Sequence, residues 1–289
     1  PSFTANWGTE ARIDDGRMWI NSYLLSLVSA IVYEEDPRWR QKFYGELGIE
    51  EYGFIDTKSI EEDQQLSVLH FPKLKKKPKG PNKDRMVIMN IRGSTGSKGS
   101  AFFDWTRETD FGTNASASKV YRTFGGKGYG NALHCSDSCL HDGYADSVDA
   151  IAGWAESKKQ SSGPLIAAMR SLLQAKTNSG QLKKGQSLDV WITGHSMGGA
   201  VGHVLAHWFA WQKRAVLKNK NHKDYKLWSR LKLRGVITFA APMSHNRMSR
   251  NHYNLSSKGG VSLKNRTLRW DNDMDEVPTL PNSSDRYTV

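Results

Sequence analysis

Little in this chain argues for a covalent or metallic scaffold. Its 289 residues include two cysteines, Cys135 and Cys139. Their lone C-x3-C spacing lacks the companion ligands of a zinc site, and it neither requires nor excludes a local disulfide. Long apolar runs are scarce as well. The cleanest, residues 23–33, is too short to span a bilayer and is interrupted by serines. No leading stretch has the make-up of a signal peptide, and the chain opens on Pro1 rather than Met, so it reads as processed or trimmed at its start. Compartment therefore stays open, with a secreted and a membrane-peripheral location both compatible. Internal repeats and nucleic-acid-binding motifs are absent too.

Acidic charge is the scarcer sign. The formal net charge is +12, which favours acidic partners: nucleic acid, an anionic membrane surface or an acidic protein. The densest basic run is Lys73-Leu74-Lys75-Lys76-Lys77-Pro78-Lys79, with Lys83 close behind. It reads as a solvated loop between two strands or as a patch that docks on an anionic membrane; without a companion motif, nucleic acid is not expected. The length suits one α/β domain with a sizeable core.

Hydrophobic spacing lays out that domain. Leu24, Leu27, Val28, Ile31 and Val32 predict a helix over 15–33, closed by Asp36-Pro37. Residues 45–53 read as a loop, with Tyr52 and Phe54 attached to it. Residues 66–71 alternate like a strand, and 86–91 form a near-continuous apolar strand of the kind buried on both faces. Helices are expected over 144–155 and from Pro164 onward, the latter burying Ile166, Met169 and Leu173. Further strands are expected at 188–193, 235–241 and 266–270, with a basic, polar connection over 212–234. Buried strands alternating with helices imply a mostly parallel central sheet flanked by helices. Residues 96–139 stand apart: rich in Gly and Ser, and dotted with Phe102, Phe103, Trp105, Phe111, Tyr121, Phe124 and Tyr129. So long an irregular stretch fits a lid over an apolar site or a plain surface excursion.

The most informative heptapeptide is Gly194-His195-Ser196-Met197-Gly198-Gly199-Ala200. It follows the strand at 188–193 and precedes a helical pattern in Val201, Val204, Leu205, Trp208 and Phe209. Gly-x-Ser-x-Gly at such a strand-to-helix turn makes a nucleophile elbow: side chains at the flanking positions would block the turn, and the serine hydroxyl is pushed out over the sheet edge. The helix N-terminus behind it supplies free N–H groups and a partial positive charge for a developing oxyanion. Functional groups gather at the carboxyl ends of parallel strands. Three such ends carry Ser94, Ser196 and Asp275, and Ser196 ahead of Asp275 fits the order nucleophile, acid, histidine.

Several blocks together resemble the class 3 lipase family, which includes the fungal triacylglycerol lipases. Val87-Ile88-Met89-Asn90-Ile91-Arg92-Gly93-Ser94 is similar to its apolar strand ending in Arg-Gly-Thr/Ser, and His141-Asp142-Gly143-Tyr144 to its His-x-Gly-Phe. Thr193 to Ala200 resembles its Thr-Gly-His-Ser-x-Gly-Gly-Ala. Ile237-Thr238-Phe239-Ala240-Ala241-Pro242 resembles its Thr-Phe-Gly-Ala-Pro, with Ala240 where the family usually has Gly. Asp275-Glu276-Val277-Pro278-Thr279-Leu280-Pro281 is similar to its Asp-x-Val-Pro-x-Leu-Pro. The resemblance implies an α/β-hydrolase fold over residues 1–289 and hydrolysis of lipid esters through an acyl-enzyme, with no cofactor and no metal. It implies Ser196 as nucleophile and Asp275 as acid, ahead of the nearby Asp271 and Asp273. Ser94 and Met197 follow as oxyanion donors.

The departure is the histidine, for the family's base follows the acid and here none follows Asp275. Three explanations are open. The base lies in a C-terminal segment or second chain missing from this sequence; or His245 or His252 replaces it; or the domain is a non-catalytic relative that binds lipid or a partner. His195 reads as the usual elbow residue, pointing away from the nucleophile, and His203 and His207 as packed or solvated residues of the elbow helix. His134 and His141 flank the cysteines without further ligands. The expected activity is a serine lipase or esterase. A phospholipase A-type activity on anionic membranes is the alternative that the charge suggests.

Overall fold

A computed structural model describes residues 16–57, 64–72, 85–94, 121–122, 140–153, 163–245, 247–254, 263–275 and 277–279. The lysine run at 73–83, both cysteines, His134 and all of the candidate lid at 96–139 except 121–122 lie outside the described residues.

Helix α1 (Gly16–Ile31) is followed by α2 (Pro37–Glu46) and then by strand β1 (Glu50–Asp56). α1 ends at Ile31, short of the stop expected at Asp36-Pro37, and that pair instead starts the next helix. Pro37 occupies the first helical turn, where its missing N–H costs nothing, and the Asp36 side chain accepts from the Arg38 N–H at 2.9 Å. β1 replaces the loop expected over 45–53. Its alternation is disguised by Gly53 and by acidic residues, one of which is buried for a polar reason. The Glu51 carboxylate accepts from Arg40 Nε at 3.1 Å and from Ser67 Oγ at 2.6 Å. Pairing of that kind lets a charge sit inside a sheet edge, and a register shift at Glu51/Gly53 absorbs the bend.

Strands β2 (Gln65–His70) and β3 (Met86–Ile91) are buried along their whole lengths. A two-residue ladder joins β4 (Tyr121–Arg122) to β5 (Leu140–His141), which runs into α3 (Asp142–Ala152). Next come α4 (Pro164–Asn178), β6 (Leu188–His195) and α5 (Met197–Leu217). The connection expected over 212–234 is more ordered than its charge suggests. α5 continues to Leu217, a short α6 (Tyr225–Ser229) follows, and β7 (Leu231–Phe239) begins four residues before the expected strand. Leu231 and Leu233 are buried while Lys232 and Arg234 between them are half-buried, an ordinary strand alternation carried by long cations. α7 (Arg247–Asn254) and β8 (Thr267–Trp270) complete the described elements, with 3-10 turns at Lys264–Arg266 and Val277–Thr279.

The main sheet has six strands in the order β1-β2-β3-β6-β7-β8. The first two pairings are antiparallel and the last three parallel, so β3, β6, β7 and β8 bring their carboxyl ends to one edge. This is the mostly parallel, helix-flanked sheet of an α/β hydrolase. On one face Leu24, Leu25, Val28 and Tyr44 of α1 and α2 pack on Ile88, Trp191 and Ile237. On the other, α3 to α6 cover Val87, Met89, Val190, Ile192 and Val236. α1 is located by polar contacts too: Asn90 Nδ2 donates to the Val28 carbonyl at 2.6 Å and to Tyr44 Oη at 3.1 Å, and Ser29 Oγ lies 3.0 Å from Thr193 Oγ1. Those bonds matter for the site, because α1 delivers the chain to Tyr33. No described helix is long and apolar enough to cross a membrane.

Candidate active site

The turn between β6 and α5 is strained. Ser196 adopts φ 54° and ψ −132°, a region that L-residues rarely enter, and its backbone N–H donates to the Phe239 carbonyl at 2.9 Å. The neighbouring glycines make this possible by closeness. A Cβ on Gly194 would collide with the Gly198 carbonyl, and one on Gly198 would collide with the Ile91 carbonyl. The head of α5 is thus pressed against the end of β3. Ser196 precedes the helix without spending its hydroxyl on a capping bond, and its carbonyl accepts from the Gly199 N–H at 2.8 Å. Met197 is the first residue of the helix, so its N–H belongs to the set without an intrahelical acceptor.

β3 ends beside this turn. Its last ladder pair is Ile91 with Gly194, after which Arg92, Gly93 and Ser94 run past the elbow. Gly93 passes so near that an added Cβ would lie 3.3 Å from Ser196 Cβ. Arg92 is buried, its N–H bound to the Gln65 carbonyl at 2.9 Å and its guanidinium to the Gln65 side chain and to Glu35. That anchoring fixes the next two residues. Ser94 Oγ lies 3.6 Å from Met197 Sδ, so the two candidate oxyanion donors are brought together.

The acid candidate arrives from β8. Asp275 closes a turn by donating its N–H to the Asn272 carbonyl at 2.9 Å, and its Oδ1 accepts from the Val277 N–H at 3.0 Å. Arg269 braces the loop, reaching Asp271 at 2.7 Å and the Pro278 carbonyl at 2.7 Å. Of the three neighbouring aspartates, Asp271 is taken up by that ion pair and Asp273 is exposed. Asp275 is half-buried, and its charge is felt at the elbow: it raises the pKa of His195 against a larger lowering by burial of part of the ring.

Three of the histidines pack together. His203, His207 and His245 are buried. His203 Nε2 meets Thr238 Oγ1 at 3.0 Å, His207 Nδ1 meets His245 Nε2 at 3.1 Å, and His245 Nδ1 meets Ser244 Oγ at 2.8 Å. The Tyr253 ring packs edge-on against all three. Burial pushes His203 and His245 down to about 3. The suggestion that His245 replaces the missing base is therefore corrected: both its nitrogens are engaged in this buried cluster. The side chains of His141 and His252 lie outside the described ones. Among the described residues no group of three or more His, Cys, Asp or Glu side chains is arranged to hold a metal.

His195 differs from these. It keeps an exposed edge, and its Nδ1 lies 3.1 Å from the Tyr33 hydroxyl. Tyr33 is a neighbour that sequence reasoning missed, having treated it as the last residue of a helix. The signal was weak: one aromatic just after α1, 162 positions from its partner.

The family model for class 3 lipases matches residues 88–284. Among solved structures, the lipase from Rhizopus microsporus var. chinensis superposes with a TM-score of 0.52 at 13% identity, over 94% of this chain and 72% of that one. The Rhizomucor miehei lipase in its propeptide complex gives 0.54 at 14% identity, over 96% and 67%. Lipase II from Rhizopus niveus gives 0.53 at 15% identity, over 93% and 77%. At such identities these neighbours speak to the fold. A comparison with curated protein sequences yields no match. With the family's pattern running through β3, the elbow and the Asp275 turn, the chain belongs to the class 3 lipase family.

Proposed function

We propose that this chain is a serine hydrolase of lipid esters in which Ser196 forms the acyl-enzyme. One observation carries the reading: the strained Ser196 shares one sheet edge with Ser94, Met197 and Asp275, each supplied by a separate strand end or by the helix behind it. Ser196 Oγ attacks the ester carbonyl carbon as a base takes its proton. The Met197 N–H, with the Ser94 N–H and hydroxyl, stabilises the negative oxygen of the tetrahedral intermediate. The base returns the proton to the departing alcohol, and water then attacks the acyl-enzyme by the same route. Asp275 orients the base and offsets its positive charge. The base itself is a histidine outside the described side chains, His252 or one on a following segment or a second chain. The buried trio is engaged elsewhere, bonded within itself, to Thr238 and to Ser244, and packed on Tyr253.

Fluorophosphonate labelling with Ser196→Ala as the control tests this reading. Labelling at Ser196 that the alanine variant abolishes supports it. An unlabelled chain, still unlabelled when any natural C-terminal extension is restored, returns the fold to a lipid- or partner-binding role. The charge of +12 favours a second substrate reading, phospholipase A-type attack on anionic membranes. Faster, salt-sensitive hydrolysis of anionic vesicles over neutral emulsions supports it, and the reverse preference supports triacylglycerol.

A further inference from the structure

Past the last ladder pair, Ile91 with Gly194, no strand hydrogen bonds join β3 to β6. Yet Ser94 and Ser196 lie just beyond it, and their spacing decides whether an oxyanion fits between them. Besides the 3.6 Å contact of Ser94 Oγ with Met197 Sδ, the Tyr33 side chain spans the gap. The Tyr33 hydroxyl accepts from the Gly93 N–H, lies 3.1 Å from His195 Nδ1, and is within 3.4 Å of the His195 carbonyl. It so fills the space over Gly93 that a Cβ there would collide with it. The contacted residues are the immediate predecessors of Ser94 and Ser196. The ring is held in turn, edge-on to His195 with centroids 5.9 Å apart and with the Arg92 guanidinium 5.9 Å from its centre.

Resting on the serine-hydrolase reading of this site, we propose that Tyr33 is a positioning residue whose hydroxyl clamps the Ser94 loop to the Ser196 elbow. With Gly93 donating to the hydroxyl oxygen, we assign the single Tyr33 proton to the shorter contact, His195 Nδ1 at 3.1 Å rather than the His195 carbonyl at 3.4 Å, which makes His195 neutral with its proton on Nε2. Burial supports both states, holding the Tyr33 phenol up to about 12 and His195 down. The charged groups facing the pair are Arg92, beside the phenol, and Asp275, whose field favours protonated His195. The clamp thus links the Ser94 loop to the elbow and meets the field of the Asp275 turn. Its contribution is geometric: a misplacement on the order of 1 Å near reacting atoms costs about 100-fold in rate.

Tyr33→Phe keeps the ring and removes the bridge. The expected result is a fall of roughly 10- to 100-fold in kcat and in the fluorophosphonylation rate, with KM within about twofold and Tm nearly unchanged. His195→Leu should fall equally, and the double variant should be no worse than either single one. His195→Asn, whose Oδ1 takes the place of Nδ1, recovers most of that loss. Independently of turnover, the His195 pKa read by NMR should rise in Tyr33→Phe, where the donor to the neutral ring is gone, and fall in Asp275→Asn. Wild-type rates in Tyr33→Phe, additive losses in the double variant, or an unmoved His195 pKa each overturn the clamp while leaving the nucleophile reading intact. A wild-type Ser196 that the probe never labels removes the catalytic reading and, with it, the positioning role of Tyr33.

Discussion

Ser196 and Ala240 are the two non-glycine residues with positive φ among the described ones, at 54° and 48°. They stand at equivalent places, one residue past the ends of the neighbouring parallel strands β6 and β7. Even their backbone bonds match: Ser196 donates its N–H to the Phe239 carbonyl at 2.9 Å, and Ala240 donates its own to the Trp270 carbonyl at 2.8 Å. The same edge therefore stores strain twice, each instance worth on the order of 1–3 kcal/mol. At Ser196 the strain aims a hydroxyl at the edge where Ser94 and Asp275 also lie. At Ala240 there is no side-chain chemistry, and the turn seats Ala241 against Gly199, bracing the elbow from behind. Strain alone does not distinguish the two turns; the groups that converge on Ser196 do.

The largest expected effect separates the two turns by activity. Ser196→Ala and Ser196→Gly should both lower ester hydrolysis by roughly 10,000-fold or more if Ser196 is the nucleophile. They should differ in stability, because only glycine relieves the backbone. Calorimetry on the pair reads the stored strain directly, and equal Tm values would mean that little is stored at Ser196.

Next in size is the packing that enforces the strain. Gly198→Ala should cost about 3 kcal/mol or more, since its Cβ would meet the Ile91 carbonyl, a backbone group that cannot move aside. Gly202→Ala, one turn along the same helix, is the control. Its Cβ would make an ordinary 3.4 Å contact with Ile192 and should be tolerated. Urea unfolding of both variants tests whether α5 is held down at its head rather than along its length.

These contrasts explain what the sequence made legible. Elements whose order is local and apolar were readable: β3 as a continuous buried run, α4 opening at Pro164, and the elbow from its glycines. β1 was not, because what stabilises it is a buried ion pair between Glu51 and Arg40, which composition alone counts as surface charge. The start of β7 was hidden for a related reason, its alternate positions being lysine and arginine. At the site, Ser94, Ser196, Met197 and Asp275 each sit in a recognisable block, and the structure gathers those blocks at one edge. Tyr33 belongs to none, and its partnership with His195 depends on α1 crossing the sheet, which no spacing along the chain encodes.

The histidines give a third comparison, smaller in effect. His203 and His245 are neutral in the folded state, with pKa values about 3 against the ordinary 6.5. In the unfolded chain they take up protons below pH 6.5, so their contribution to stability is complete above that pH and is lost as pH falls toward 3. Together they should remove a few kcal/mol across that window, on the order of 1.4 kcal/mol per unit of displacement before relaxation. Denaturation at pH 7, 5.5 and 4 should show this loss, and His203→Gln should flatten it. If the variant keeps the same acid limb, protonation elsewhere governs the decline.

The smallest effect is expected at Ala240, the second strained turn. Ala240→Gly should stabilise the fold, because the left-handed backbone penalises alanine by about 1–2 kcal/mol while glycine gives back part of that as chain entropy. A net gain of about 0.5–1 kcal/mol is expected by urea unfolding. Ester hydrolysis should stay unchanged, since Ala240 offers no side-chain chemistry and the glycine keeps the same turn. The related lipases usually have glycine there, which fits a position chosen for its backbone alone. A drop in hydrolysis with stability unchanged would instead mean that the alanine methyl helps to hold the elbow. Ala240 would then join Gly199 and Ala241 as part of what keeps Ser196 in place.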